Sequence, residues 1–330
     1  MTNVTVLGSG SFGTALSMVL ANNGHSVTLW SFSSKEVEFM KTNKRNALLP
    51  NIELSEKLNL TNDKELATKN TEVIVFVTPT KFARETLEGF KGLIRDDMLI
   101  INASKGLEEK TLKRLSEVIQ EIYPKNTVAV LSGPSHAEEL AEKIPTMLTA
   151  AAADIEIAKI VQDLFMNESV RVYTNTDVVG VELGGALKNV IALATGISDG
   201  IGYGDNTKAA IMTRGLNEIS KLGIKLGAKG ETFSGLSGIG DLIVTCTSIH
   251  SRNRRCGILL GQGKSIEEAV LEIGMVVEGL NTVKAAYSMS LKYNIDMPIV
   301  NKIYSVIEHG ESPKQAMYNL MTRERREELL

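Results

Sequence analysis

Short runs of β-branched and aliphatic residues alternate with stretches of helical apolar spacing through the first half of the chain, which is the pattern of a parallel sheet with crossover helices. The runs are "NVTVLG" from Asn3, "HSVTLW" from His25, "TEVIVFVTP" from Thr71, "MLIINAS" from Met98 and "TVAVLSG" from Thr127. Two more, "PTMLTAAA" from Pro145 and "VRVYTN" from Val170, extend the same pattern. After about Asp177 the strand signal stops. Helical spacing then covers Val181 to Ile197, Thr207 to Leu226, Ser265 to Ile273, Val277 to Tyr293, Pro298 to Glu308 and Ser312 to Thr322, with glycine-bearing connections. The expected architecture is α/β, with a sheet domain over residues 1–178 and an all-helical domain over 179–330. No Gly/Ser- or Pro-rich linker separates the two, so they are expected to pack closely around a cleft.

The first strand runs into "LGSGSFGTA", and a helical stretch from Thr14 to Asn22 follows. Gly8, Gly10 and Gly13 thus form G-x-G-x-x-G in a strand-turn-helix setting. There the first glycine makes the tight turn, the second admits a pyrophosphate and the third lets helix and strand pack closely, while helix N–H groups receive the anion. The first domain is therefore expected to be a Rossmann-type dinucleotide-binding unit; the plain alternative is an ordinary βα turn. In the NAD form of this fold an acid lies roughly 20 residues on, at the end of the second strand, and holds the ribose hydroxyls. Here that place reads Trp30, Ser31, Phe32, Ser33, Ser34, Lys35, with no acid before Glu36. A 2′-phosphate is expected to meet no fixed negative charge there, so NADPH is expected to be used at least as well as NADH, with Lys35 as the candidate to reach the 2′-phosphate.

Length and charge narrow the class. At 330 residues the chain exceeds what one core usually absorbs, in line with two domains. Thirty-six basic against 39 acidic residues leave a net charge of −3, which offers no electrostatic case for nucleic acid or an acidic membrane surface. Cys246 and Cys256 are the only cysteines and lack metal-type spacing, so free thiols in a reducing, cytoplasmic compartment are expected. No basic leader precedes the first strand, and no stretch reaches the roughly 18 to 20 apolar residues of a membrane span. Neither export nor insertion is expected. The metalloprotease, P-loop and nucleophile-elbow motifs are missing, so no metal is expected.

The central segment "GGALKNVIALATG", Gly184 to Gly196, carries one charge, Lys188, on or beside a helical apolar face. A lysine that is partly desolvated, or set near other cations, has its pKa lowered toward the range of a general base. Lys188, balanced by Asp241, is then a candidate to exchange a proton with a substrate hydroxyl. The alternative is a lysine that snorkels to solvent. Lys105 in "NASKGLE" and the turn Gly133, Pro134, Ser135 in "SGPSHAEE" follow strands, at the carboxyl edge where open α/β sheets bind ligands. Ser251, Arg252, Asn253, Arg254 and Arg255, crowded after a Gly-rich segment, suit a phosphate, because guanidinium grips oxygens bidentately. A solvated basic helix start would use the same letters.

Taken together, "GSGSFGTA", "NASKGLE", "SGPSHAEE", "GGALKNVIALATGISDGIGYGDNTKAA", "GIGDLIVTCTS", "SRNRR" and "VVEG" resemble the bacterial soluble NAD(P)-dependent glycerol-3-phosphate dehydrogenases over essentially the whole chain. That resemblance implies a Rossmann sheet followed by a helical domain of the 6-phosphogluconate-dehydrogenase-like kind. It implies reversible reduction of dihydroxyacetone phosphate to sn-glycerol 3-phosphate with NADPH or NADH, feeding phospholipid synthesis, in a homodimer. It makes Lys188 the proton acceptor. Substrate contacts are implied for Lys105, Gly133, Ser135, Asp241, Ser251, Arg252 and Asn253, and dinucleotide contacts for Ser11, Phe12, Lys105, Ala137, Arg252, Val276 and Glu278. Many members have Arg or His in the loop after the second strand, where this chain has Phe32 and Ser33. The β-hydroxyacid dehydrogenases, with a similar two-domain plan and a catalytic lysine, are the nearest enzyme alternative. A module that senses NAD(P)H without turnover would keep the glycine loop without needing Lys188, Asp241 and "SRNRR" together.

Overall fold

A computed structural model describes residues 1–325 and 327–328; the end of the expected 179–330 unit lies outside the described residues. Among the described residues, eight strands form one sheet: β1 (Asn3–Leu7), β2 (Ser26–Trp30), β3 (Leu58–Thr61), β4 (Val73–Phe76), β5 (Leu99–Asn102), β6 (Val128–Ser132), β7 (Thr146–Ala151) and β8 (Val170–Asn175). Their spatial order is β3-β2-β1-β4-β5-β6-β7-β8. Val6, Leu29 and Val75 are fully buried with the helix Ser11–Asn22 on one face, and Ile74, Phe76 and Ile100 are buried with Leu87, Phe90 and Ile119 on the other. The chain leaves β1 first toward β2 and later toward β4, with Leu7 paired to both Trp30 and Phe76. The order therefore reverses at the carboxyl end of β1, where open sheets of this kind bind ligands.

Two strand expectations are corrected. The sequence pattern does not predict β3: in "LNLT" only Leu58 and Leu60 are apolar, which is a weak signal for an edge strand. The sheet is also not wholly parallel, because β7 runs antiparallel to β6 while β8 runs parallel to β7. The connection from β6, residues 133–145, holds only the five-residue helix Ala137–Ala141 and stays at one end of the sheet. The chain thus re-enters the sheet from the end it left.

Helices take over after Asn175. The long helix Val178–Ile201, 24 residues, is capped by Asp177, whose side chain accepts from Gly180 N–H, and every residue from Gly180 to Ser198 is buried. It is wrapped by helices Asp205–Lys225, Arg252–Gly261 and Glu278–Tyr293. Small residues allow the close approach: a Cβ on Gly196 would lie 2.1 Å from the Arg254 carbonyl oxygen. By length and composition this helix is apolar enough to cross a membrane, with 89% of the qualifying window buried inside the protein, so the expectation that no stretch reaches that length is corrected. The few charges within it interrupt the apolar run without making the segment polar on average, and it is the core of the helical half. Helices Asp241–Thr247 and Arg252–Gly261 are not legible in the apolar spacing either, since glycine-rich and basic letters mask their short apolar faces.

Sheet and central helix are tied by Glu182. Its buried carboxylate accepts from Asn102 Nδ2 at 3.1 Å, Ser116 N–H at 2.9 Å and Arg114 Nη1 at 2.8 Å. Burial pushes its pKa up, and the Arg114 charge opposes the shift. The tie fixes the β5 end of the sheet against the helix that carries Lys188.

Candidate active site

The glycine loop lies at the switch point. Gly8 has φ +126°, a left-handed value that suits glycine, and a Cβ there would lie 2.5 Å from the Val77 carbonyl oxygen. On Gly13 a Cβ would lie 2.0 Å from the Gly8 oxygen, whereas at Gly10 it would meet nothing within 4 Å. Gly8 and Gly13 are thus required by the chain itself, while Gly10 faces open space. The helix Ser11–Asn22 begins there without a side-chain cap, leaving donor N–H groups for an anion.

Ser11, Phe12, Lys105, Ser135, Ala137, Lys188, Ser251, Arg252, Asn253, Val276 and Glu278 line one cleft with Gly8 and Gly10, about 840 Å³ in volume. Eleven residues singled out across 268 positions are therefore brought together. Gly13 packs beneath the loop. Gly133 and Asp241 are not in the cleft wall: Gly133 offers its carbonyl to Lys105, and Asp241 is completely buried, reached through the two lysines.

The centre of the cleft is a buried charge cluster. Lys188 Nζ donates to Asp241 Oδ1 and, at 2.8 Å, to Thr245 Oγ1. Lys105 Nζ donates to Asp241 Oδ2 and to the Gly133 carbonyl, both at 2.8 Å. Thr245 in turn donates to the Asp241 carbonyl at 2.6 Å, one helical turn back, so Asp241 and Thr245 share a face. Two ammonium groups thus face one carboxylate in a site sheltered from water. Burial lowers the Lys188 pKa to about 7; Asp241 opposes the shift and the Lys105 charge adds to it. Lys188 is only 6% exposed, which excludes the snorkelling alternative. His136, facing His250 with ring centroids 5.8 Å apart, is likewise lowered by burial and then by the Lys188 charge.

At the helical end of the cleft, Ser251 caps Arg252–Gly261 by accepting from Arg254 N–H at 3.2 Å. Arg252 donates to the Val276 carbonyl at 3.3 Å. Asn253 bridges Asn189 Oδ1 at 2.9 Å and Gly279 N–H at 2.8 Å. Glu278 accepts from Thr80 N–H through Oε1 at 3.1 Å, while its Oε2 is buried without a partner. Burial raises its pKa. A buried, unpartnered oxygen in the cleft wall and a glycine with open space before it both fit a bound dinucleotide.

Beyond β2 the structure corrects an expectation. Glu36 Oε2 accepts from Ser31 Oγ at 2.7 Å and from Ser9 Oγ at 2.8 Å, so a carboxylate does stand at the loop end of the second strand. Ser33 caps the helix Ser34–Asn43 by accepting from Glu36 N–H at 3.2 Å, and that turn swings Glu36 back over the glycine loop. Counting residues from the strand end does not see this return. Lys35 is not among the residues that line the cleft. Glu36, Thr245, Asn189 and Glu182 were not assigned roles from sequence; the i, i+4 spacing of Asp241 and Thr245 was the one signal available.

Known proteins bear on this geometry. Residues 3–158 match the model of the NAD-dependent glycerol-3-phosphate dehydrogenase N-terminus, and residues 177–318 that of its C-terminus. A glycerol-3-phosphate dehydrogenase of the NAD(P)+ type from Thermoanaerobacter sp. strain X514 is 51% identical over 99% of this chain and 98% of its own length. One from Fusobacterium nucleatum is 49% identical over 100% and 99%. The crystal structure of glycerol-3-phosphate dehydrogenase from Coxiella burnetii superposes with a TM-score of 0.95 at 38% identity, covering 98% of this chain and 99% of that one.

Proposed function

The chain belongs to the NAD-dependent glycerol-3-phosphate dehydrogenase family, and from that premise we propose that it is an NAD(P)H-dependent oxidoreductase that reversibly reduces dihydroxyacetone phosphate to sn-glycerol 3-phosphate, supplying glycerophospholipid synthesis. The observation that carries this reading is the buried Lys188–Asp241–Lys105 cluster in the same cleft as the glycine loop. Dividing the chain at 178/179 gives a dinucleotide-binding half and a helical half, with the cleft between them.

Gly8, Gly10, Gly13, Ser11 and Phe12 would hold the dinucleotide from the sheet side, with Ala137, Arg252, Val276 and Glu278 around it. When bound, the dinucleotide supplies hydride in one direction and accepts it in the other. Neutral Lys188 takes the proton from the C2 hydroxyl of glycerol 3-phosphate, and in the reverse direction its ammonium gives that proton to the C2 oxygen. A pKa of about 7 keeps both forms populated near neutral pH, the condition for one group to serve as base and acid. Lys105, a fixed donor on Asp241, polarises the substrate carbonyl oxygen. Arg252, with Ser251 and Asn253 at the helix start, grips the phosphate through charge-assisted hydrogen bonds, and Ser135 closes the substrate side. The free, buried Cys246 and Cys256 suit a reducing cytoplasm, and the family resemblance supports a homodimer.

The test is initial-rate kinetics, following absorbance of the reduced cofactor with dihydroxyacetone phosphate, unphosphorylated dihydroxyacetone and a 3-oxo acid. Turnover should be confined to the phosphorylated ketone. Preference for the 3-oxo acid would favour a β-hydroxyacid dehydrogenase, and turnover with none of them a sensing module.

A further inference from the structure

We propose that Arg254 is a positioning residue: bound to Asp199, it fixes the helix Arg252–Gly261 lengthwise along the central helix and so sets the span between the phosphate grip at Arg252 and the proton at Lys188. This rests on the substrate reading above and goes beyond it, by giving Arg254 to the frame of the site rather than to the phosphate.

Ser251, Arg252 and Asn253 line the cleft, whereas Arg254 and Asp199 do not. Two residues apart on one helix, Arg252 and Arg254 face different ways. Arg254 Nε and Nη2 both reach Asp199 Oδ2, at 2.9 and 2.7 Å, and Lys208 Nζ, from the helix Asp205–Lys225, holds Oδ1 at 3.0 Å. The arginine and aspartate side chains are 16% and 13% exposed, so this is not the solvent-screened kind of surface pair that contributes little.

The latch acts on a contact that needs one. The two helices meet through glycines: a Cβ on Gly196 would strike the Arg254 carbonyl, and one on Gly257 the Leu193 carbonyl. Such a contact brings backbones close but offers few side-chain ridges to resist sliding. Polar ties supply the register instead. Asn253 reaches toward the start of the central helix, donating to Asn189 Oδ1 at 2.9 Å, while its neighbour Arg254 reaches the other way, to Asp199. Those two anchors lie about 15 Å apart along the central helix, one of them next to Lys188. The helix start is thus braced in both directions. A substrate held by its phosphate at Arg252 must present its C2 oxygen to Lys188, so a shift of this helix becomes a misplacement of the reacting atoms.

Kinetics with two ketones test this, since only dihydroxyacetone phosphate spans both points. Arg254→Gln and Asp199→Asn should each lower kcat on it by about tenfold or more, the scale of a misplacement of the order of 1 Å, with KM and dinucleotide affinity changed far less. Turnover of unphosphorylated dihydroxyacetone, which does not reach Arg252, should stay near the native rate. The double variant should be no worse than either single one, and Arg254→Lys, which keeps a charged donor, should recover most of the rate. If Arg254→Gln does not fold, Lys208→Gln, which frees the other carboxylate oxygen, should show the same selective loss in smaller measure. Equal losses on both ketones would reduce the pair to general stability and overturn the proposal. A native rate in Asp199→Asn beside a deficient Arg254→Gln would overturn it too, placing Arg254 on the phosphate itself. Native protein that does not prefer the phosphorylated ketone would instead remove the substrate reading, and this proposal with it.

Discussion

Lys188 and Asp241 form an ion pair with both side chains inside the protein, the lysine 6% and the aspartate 0% exposed. Burial drives the Lys188 pKa down to about 7, and Asp241 keeps it from falling further. In the proposed mechanism oxidation of glycerol 3-phosphate needs the neutral amine, so kcat/KM in that direction should rise as pH passes upward through about 7; reduction of the ketone, which there needs the ammonium, should fall over the same interval. Asp241→Asn removes the influence that raises the pKa and should move both limbs to lower pH. Profiles measured in both directions decide the matter: an upward move would mean that another group titrates.

The glycine loop predicts two different failures. Gly13→Ala drives a Cβ into the Gly8 carbonyl, 2.0 Å away, and should destabilise the fold by about 1–3 kcal/mol, the usual cost of overpacking. Gly10→Ala meets only open space and should change stability by no more than about 0.5 kcal/mol while weakening dinucleotide binding. Thermal unfolding and equilibrium titration of the two variants check this, and a Gly10→Ala protein that binds normally would show that nothing approaches the loop there.

Much of this arrangement is readable from the chain because it depends on local patterns. Seven of the eight strands carry β-branched apolar runs, and the glycine spacing sits where strand meets helix. The isolated charge of Lys188 in an apolar helix marks a burial that needs a reason. What escaped depends on three-dimensional return. The direction of β7 is set by a connection that stays at one end of the sheet, Glu36 reaches back over a turn to a loop 27 positions earlier, and Glu182 finds its partners on two other elements. The family resemblance implies a substrate contact for Asp241; in the fold its side chain is completely buried and accepts from both Lys188 and Lys105.

Arg252 opens the helix that follows the glycine-rich segment, and its guanidinium lies in the cleft wall. A charge-assisted contact is worth about 1.5–3 kcal/mol, so Arg252→Ala should weaken dihydroxyacetone phosphate by about tenfold or more and unphosphorylated dihydroxyacetone far less. The ratio of kcat/KM for the two ketones, native against variant, isolates the phosphate. Equal losses on both would place the arginine's work elsewhere in the cleft.

The central claim is that Lys188 moves the proton, and Lys188→Ala tests it most directly when kcat and the dinucleotide dissociation constant are measured on the same preparation. Asp241 keeps Lys105 as a partner in the variant, so the carboxylate is not left without a charge beside it. The predicted result is a fall in kcat of about two to four orders of magnitude, the contribution of a positioned acid–base group, with dinucleotide binding close to that of the native protein. A near-normal kcat would contradict the account, as would a loss of activity matched by an equal loss of dinucleotide binding.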